Sequence, residues 1–369
     1  MKITVFGIRG FPNIQGGAEK HCEELYTRLS SKDVHIKVIR RKPYLNKHSE
    51  KKYNHIEFKD SVTLKNKYLE TPIHSLHCAF DCLMDRPDIV HIHNIASAFT
   101  LPLLRLFRLK CVLTYHSSNY EHVKWNLFAK SMLRLFEKMA LLLSNRVIFV
   151  SRSKREQFKK IAYKSYYIPN GITTYEDIKP SISLSNYNLK KEKFILSVGR
   201  IVPEKRFLDL VQAFERITTD YKLVIAGGYD NISQYYKKIL NYKDSLKDRL
   251  ILTGFLKSND IKLLYENASF FVLPSENEGM PIVLLEAMSF GLCPLVSDIK
   301  ENLDVISDYG YTFKTKDIIC LKEKLQYMLT HKSEVDRIGI SARDYVNKEY
   351  KWKNVADNTM KVHKELISD

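Results

Sequence analysis

Two carboxylates with seven residues between them stand out in Pro274-Ser-Glu-Asn-Glu278-Gly279-Met280-Pro281-Ile-Val-Leu-Leu-Glu286-Ala-Met-Ser-Phe-Gly291. A carboxylate accepts two hydroxyl hydrogen bonds at once, which is what a ribose diol or a sugar's vicinal hydroxyls offer. The spacing places Glu278 in a loop and Glu286 two turns into the following helix. Eight helical positions rotate about 800°, so both acids can face one side. The stretch Gly279-Met280-Pro281 leaves backbone N–H groups at that helix N-terminus open to phosphate or sugar.

Other segments offer positive charge or close backbone approach. The predicted strand Phe194–Val198 runs into Gly199-Arg200-Ile-Val-Pro-Glu-Lys205. A guanidinium fixed at a strand end, with a lysine five residues on, suits a diphosphate whose charge grows as a glycosidic bond breaks. Two surface cations would read the same way. Near the start, Gly16 and Gly17 open a helix after the first strand. Paired glycines serve an anion through backbone N–H groups, or simply a tight turn. The loop lacks Gly-x-Gly-x-x-Gly, which disfavours a dinucleotide cofactor.

These positions need a scaffold that brings strand ends together. In the first half, strands are predicted at Lys2–Gly7, Val34–Arg40, Asp88–Asn94, Lys110–Ser117 and Arg146–Ser151, with helices at Ala18–Leu29, Pro72–Met84 and Asn126–Leu143. The second half repeats the alternation with strands at Phe194–Val198, Lys222–Ala226, Arg249–Leu252, Phe270–Leu273 and Pro294–Val296. Such β-α-β-α order argues for parallel sheets covered by helices on both faces, with ligands beyond the strands' carboxyl ends. The expected fold class is therefore α/β, with two Rossmann-like, doubly wound domains. The boundaries read as 1–174, a polar linker over 175–193, 194–350, and a terminal helix within 351–369 that packs on the second domain or crosses back to the first.

Composition sets limits on function. A chain of 369 residues with 44% apolar and 27% charged residues has enough for two cores and is no disordered polymer. It has no apolar run of the roughly 18 to 20 residues needed to span a bilayer, and no signal-peptide pattern after Met1, so a cytoplasmic location is expected. The six cysteines, Cys22, Cys78, Cys82, Cys111, Cys293 and Cys320, form no Cys-x-x-Cys pair and read as reduced core thiols, with no metal or redox site.

The net charge of +17 calls for an anionic partner. Nucleic acid is disfavoured, because no recognised motif or aromatic-basic platform is present. The helix Asn126–Leu143 aligns Lys130, Arg134 and Lys138 opposite Leu127, Phe128, Met132, Leu135, Phe136 and Met139, and Leu101–Lys110 adds Arg105, Arg108 and Lys110. That pattern suits an anionic membrane surface, or one apolar stripe docked on its own sheet.

The motifs carry a family resemblance. "SVGRIVPEK" followed by "SENEGMPIVLLEAMSFGLCPLVSD" resembles the donor domain of retaining family-four glycosyltransferases of the GT-B fold. "GIRGFPNIQGGAEKHCEELYTRL", "DIVHIHN", "LTYHSSNYEHVKW" and "VIFVSRSKREQF…YYIPNG" resemble the acceptor domain of bacterial members that build surface polysaccharides. The resemblance implies two domains facing each other across a cleft that holds a nucleotide diphosphate sugar, with a UDP-sugar favoured.

Carried over by position, it gives Glu286 the nucleotide ribose and Arg200 with Lys205 the diphosphate. Glu278, with Gly279, Met280 and Pro281, would meet the donor sugar, and Gly16-Gly17 its phosphate. His116 ends a predicted strand and matches the family histidine beside the reacting sugar; alone it would pass for a structural residue. Asn119, Tyr120, Glu121 and Lys124 become acceptor-side candidates.

The chain departs from the common pattern at Pro281, where many members have a second glycine, and at Ser117-Ser118; both positions bear on donor-sugar identity. No Asp-x-Asp occurs, so a metal-bridged diphosphate is not expected and cations replace the metal. The implied reaction moves a hexose or N-acetylhexosamine, with retention, to a lipid-linked saccharide in polysaccharide or O-antigen assembly, without a protein nucleophile or cofactor. Alternatives on the same architecture are a dTDP-sugar (rhamnosyl) transferase and a nucleotide-sugar epimerase or hydrolase.

Overall fold

The computed structural model describes residues 1–45, 53–64, 66, 69–118, 127–173, 175, 179–229 and 234–369. They divide into two compact units: Met1–Gly171 together with Trp352–Asp369, and Ile172–Lys351.

The first unit holds a seven-stranded sheet in the order β3-β2-β1-β4-β5-β6-β7, and every pairing is parallel. Its strands are β1 (Lys2–Phe6), β2 (His35–Arg41), β3 (Ile56–Ser61), β4 (Ile89–Ile92), β5 (Cys111–Tyr115), β6 (Arg146–Phe149) and β7 (Ser165–Tyr167). Val5 is in register with Val38 on one side and His91 on the other, so the strand order reverses direction at β1 and β4. Strands covered on both faces need uninterrupted apolar runs. β4 and β5 are buried at every residue, their polar members His91 and Thr114 hydrogen-bonded to each other at 2.8 Å, whereas the edge strand β3 alternates with exposed positions.

Helices α1 (Gly17–Leu29), α2 (Glu70–Asp85), α3 (Leu101–Leu106) and α4 (Leu127–Leu143) connect these strands. The helix Trp352–Ser368 packs against α1. It buries Trp352, Val355, Ala356, Thr359, Val362, His363 and Leu366, the three- and four-residue spacing of one helical face. Its end is tied down where Lys110 Nζ donates to the carbonyls of Leu366 (2.9 Å) and Ile367 (3.0 Å), and Tyr166 Oη donates to Glu365 (2.9 Å).

α4 departs from the expected stripe. It buries Leu133, Glu137, Ala140 and Leu141, and leaves Leu127, Phe128, Leu135 and Leu142 exposed. The buried acid Glu137 accepts a 2.5 Å hydrogen bond from Tyr115 Oη, which turns this face inward. Exposed apolar side chains also occur on α2 as Leu76, Phe80 and Met84, and at the end of α3 as Leu106 and the following Phe107.

The second unit repeats the plan with six parallel strands in the order β10-β9-β8-β11-β12-β13. They are β8 (Phe194–Val198), β9 (Lys222–Ala226), β10 (Leu250–Gly254), β11 (Phe270–Leu273), β12 (Pro294–Ser297) and β13 (Tyr311–Phe313). Here the reversal falls at β8 and β11. Behind β8, Gly227 allows close backbone approach: a Cβ there would lie 1.8 Å from the Gly199 carbonyl oxygen. Residues 179–193 belong to this unit, where Ser181 donates to Asp260 through both its backbone N–H and its hydroxyl. The six cysteines are free, five of them buried. Among the described residues, no helix is long and apolar enough to cross a membrane.

Candidate functional site

In the second unit, β8 and β11 are hydrogen-bonded neighbours, so the loops leaving their carboxyl ends emerge side by side. The β8 loop carries Arg200, half-buried just past the strand, and Lys205, in a 3-10 turn spanning Pro203–Lys205. The β11 loop carries Glu278. The two loops are joined by a 3.0 Å bond from the Glu276 N–H to the Glu204 carbonyl and by an ion pair of 2.5 Å between Lys205 Nζ and Glu278 Oε1. This pair is only 18% and 10% exposed, so each charge keeps the other stable where little water reaches.

Glu278, Met280 and Pro281 are buried, Gly279 is half-buried, and the helix Ile282–Ser289 follows at once. Glu286 sits inside that helix at 7% exposure. Tyr265 Oη donates to it at 3.2 Å, and the Tyr265 ring stacks on Phe290. Burial, reinforced by Glu286, pushes the Tyr265 hydroxyl well above its ordinary range, so it stays a donor. Ser275 Oγ and Asn277 Nδ2 on the same loop are buried with no hydrogen-bond partner among the described residues. Buried polar groups are normally satisfied, so both are suited to a ligand. Sequence reasoning passed over them; their place beside Glu278 was the available signal.

In the first unit, Gly16 caps α1 and Gly17 is exposed at its first turn; no side chain caps that end. A Cβ on Gly17 would meet nothing within 4 Å, whereas one on Gly16 would lie 1.9 Å from Glu19 Oε2. Glu19, also unanticipated, accepts from the Arg9 N–H at 3.1 Å and so braces the loop from β1 to α1.

His116 follows β5 and lies beside His93, which follows β4, with 3.1 Å between His116 Nε2 and His93 Nδ1. His93 stacks on His91, whose Nδ1 is 3.1 Å from His363 Nε2, and His21 from α1 meets His116 edge to face. Five histidines therefore form one group, four of them buried and His116 half-buried, of which only His116 was expected. His91 and His93 were legible, because residues two apart in a strand share a face. Burial holds His91, His93 and His116 well below the ordinary histidine range, so all three are neutral near pH 7 and act through hydrogen bonds. The acceptor-side candidates Asn119, Tyr120, Glu121 and Lys124 lie outside the described residues.

Comparison with known proteins gives the family and the fold. Residues 15–176 match the family described as Glycosyltransferase Family 4, and residues 182–345 match Glycosyl transferases group 1. An uncharacterized glycosyltransferase of Methanocaldococcus jannaschii is 26% identical over 99% of this chain and 98% of its own length. The Escherichia coli UDP-Gal:alpha-D-GlcNAc-diphosphoundecaprenol alpha-1,3-galactosyltransferase is 30% identical over 63% of this chain and 64% of its own. Sucrose-phosphate synthase from Thermosynechococcus elongatus has the same fold, with a TM-score of 0.86 at 20% identity over 100% of this chain and 99% of that one. Anabaena HepE, solved in complex with UDP and glucose, gives a TM-score of 0.79 at 15% identity over 99% and 100%. With these matches in turn covering both units, the chain belongs to the family-four glycosyltransferases of the GT-B fold.

Proposed function

We propose that the enzyme transfers a hexose or N-acetylhexosamine from a UDP-sugar to a lipid-linked saccharide, with retention and without a metal ion, during surface-polysaccharide assembly. The observation that carries this reading is the Lys205–Glu278 pair, on the two loops that also carry Arg200 and lead into the helix holding the buried Glu286. Glu286 takes the ribose hydroxyls, and Arg200 and Lys205 neutralise the departing diphosphate. Glu278, with the backbone of Gly279 to Pro281, meets the sugar. Gly16-Gly17 serve its phosphate, and neutral His116 bonds a sugar hydroxyl. The E. coli relative supports a UDP-sugar donor and a diphosphoundecaprenol-linked acceptor through its own name.

The same proposal places the enzyme at the inner, cytoplasmic face of the membrane. Helices α2, α3 and α4 leave Leu76, Phe80, Leu106, Leu127, Phe128 and Leu142 exposed. Across residues 89–118 and 127–146 the sole acid is the buried Glu137, while Arg108, Arg134 and Lys138 are exposed. On α3 and α4 the exposed charges are positive, which matches an anionic bilayer, while the exposed Asp85 at the end of α2 is paired with Lys37.

The test is to incubate the protein with UDP-sugars, with and without lipid-linked saccharide acceptors, without added metal. Acceptor-dependent donor consumption giving a retained linkage is expected. Donor breakdown at the same rate without acceptor would replace transfer by hydrolysis.

A further inference from the structure

We infer that His21, His93 and His116 form a binding site for one late first-row divalent cation, the class that includes Zn2+ and Co2+. One ring nitrogen from each of the three lies within 4.8 Å of the others. The His93 Nδ1 to His116 Nε2 separation of 3.1 Å is close to the spacing of ligands on one ion. With Zn–N bonds of about 2.0–2.1 Å, tetrahedral geometry sets ligand nitrogens about 3.3 Å apart. Closing the two remaining edges, each at most 4.8 Å, asks the His21 ring to move inward by about 1.5 Å.

The outward-facing nitrogens of His21 and His93 are already held. His21 Nδ1 donates to Asn170 Oδ1 at 2.7 Å, which leaves the Nε2 lone pair for another partner. That Nε2 is buried and has no hydrogen-bond partner among the described residues. His93 Nε2 lies 2.5 Å from Tyr26 Oη, so a metal would select the tautomer in which this N–H donates to Tyr26 and Nδ1 faces the ion. A ligating imidazole whose second nitrogen is anchored by an oxygen is the usual arrangement around a bound metal. His116 is the least buried of the three, so a fourth position would open on its side of the group. Imidazole donors favour zinc, cobalt, nickel and copper over magnesium or calcium, so this ion is distinct from a diphosphate-bridging Mg2+.

One consequence rests on the proposed role of His116: with its lone pair held by the ion, His116 is withdrawn from the sugar, and Zn2+ inhibits transfer.

The experiment titrates the full chain with Co2+ and records the visible ligand-field absorption of a four-coordinate ion. A band saturating at one ion per chain, displaced by Zn2+ and untouched by Mg2+, is expected. His21→Gln should abolish it, and Asn170→Ala should weaken Co2+ binding about 10- to 100-fold by releasing the His21 ring. No band in the wild type overturns the site. So does an undiminished band in whichever of the two variants folds, as judged by circular dichroism. Transfer is measured alongside: a bound ion with undiminished transfer leaves the site standing and removes His116 from the reaction.

Discussion

Lys205 Nζ lies 2.5 Å from Glu278 Oε1 although 73 positions separate the two residues in the chain. The pair is local to the β8 and β11 loops and mostly shielded from solvent. Lys205→Met leaves the carboxylate without its partner and should cost about 1–3 kcal/mol of stability in urea unfolding. Adding Glu278→Gln should recover part of that loss. Purely additive losses in this double-mutant cycle would show that the two side chains do not act as a pair.

Arg200→Ala should lower turnover by about 10²–10³-fold with a smaller change in donor affinity, the signature of a group that acts on charge developing in the transition state. Turnover intact with only affinity weakened would remove Arg200 from the leaving group.

Glu286→Ala deletes charge-assisted bonds worth roughly 1.5–3 kcal/mol and should weaken UDP-sugar binding about 10- to 150-fold, measured by calorimetry. Because Tyr265 Oη keeps only the longer bond to the Val283 carbonyl, at 3.4 Å, thermal stability should fall in the same variant. An unchanged donor dissociation constant would take the ribose away from Glu286.

Acid should destabilise the first unit as soon as the pH falls below the ordinary histidine range. Burial lowers His74 to about 3 and His363 to about 4, against an ordinary value of 6.5. In the unfolded chain both protonate near 6.5, so the unfolded state binds more protons than the native state across that window. The associated stability is fully present above pH 6.5 and is lost as the pH falls toward 4 for His363 and 3 for His74. Urea midpoints should drop over that interval, and His74→Leu should make the decline shallower. A midpoint independent of pH from 6.5 to 4 would contradict the burial of both rings.

Replacing Lys130, Arg134 and Lys138 by Gln should weaken sedimentation with anionic vesicles by about 1 kcal/mol per charge. Leu127→Ser with Phe128→Ser should do the same at high salt, where charge is screened. Equal binding of wild type and variants to anionic vesicles would remove α4 from the membrane.

Central strands were legible because burial on both faces demands unbroken apolar runs: Phe194–Val198, Lys222–Ala226 and Phe270–Leu273 begin and end where expected. β3, β7 and β13 were not, since an edge strand needs little apolar surface and the last two have three residues each. The Glu278–Glu286 spacing is a local property and could be read directly. That Lys205 meets Glu278 depends on β8 pairing with β11, a long-range event with no local trace. The histidine group mixes both cases. His91 and His93 alternate along one strand, while His21 and His363 arrive from helices at opposite ends of the chain, where neither has a neighbouring signal.

The helix Trp352–Ser368 completes the unit that Met1 begins. During synthesis the ribosome finishes the whole of Ile172–Lys351 while the earlier unit still lacks its last wall, with the surface that will receive Trp352 and Val362 open to water. A helix made after the second unit thus decides whether the earlier unit matures, so damage within Trp352–Ser368 should appear as misfolding of Met1–Gly171.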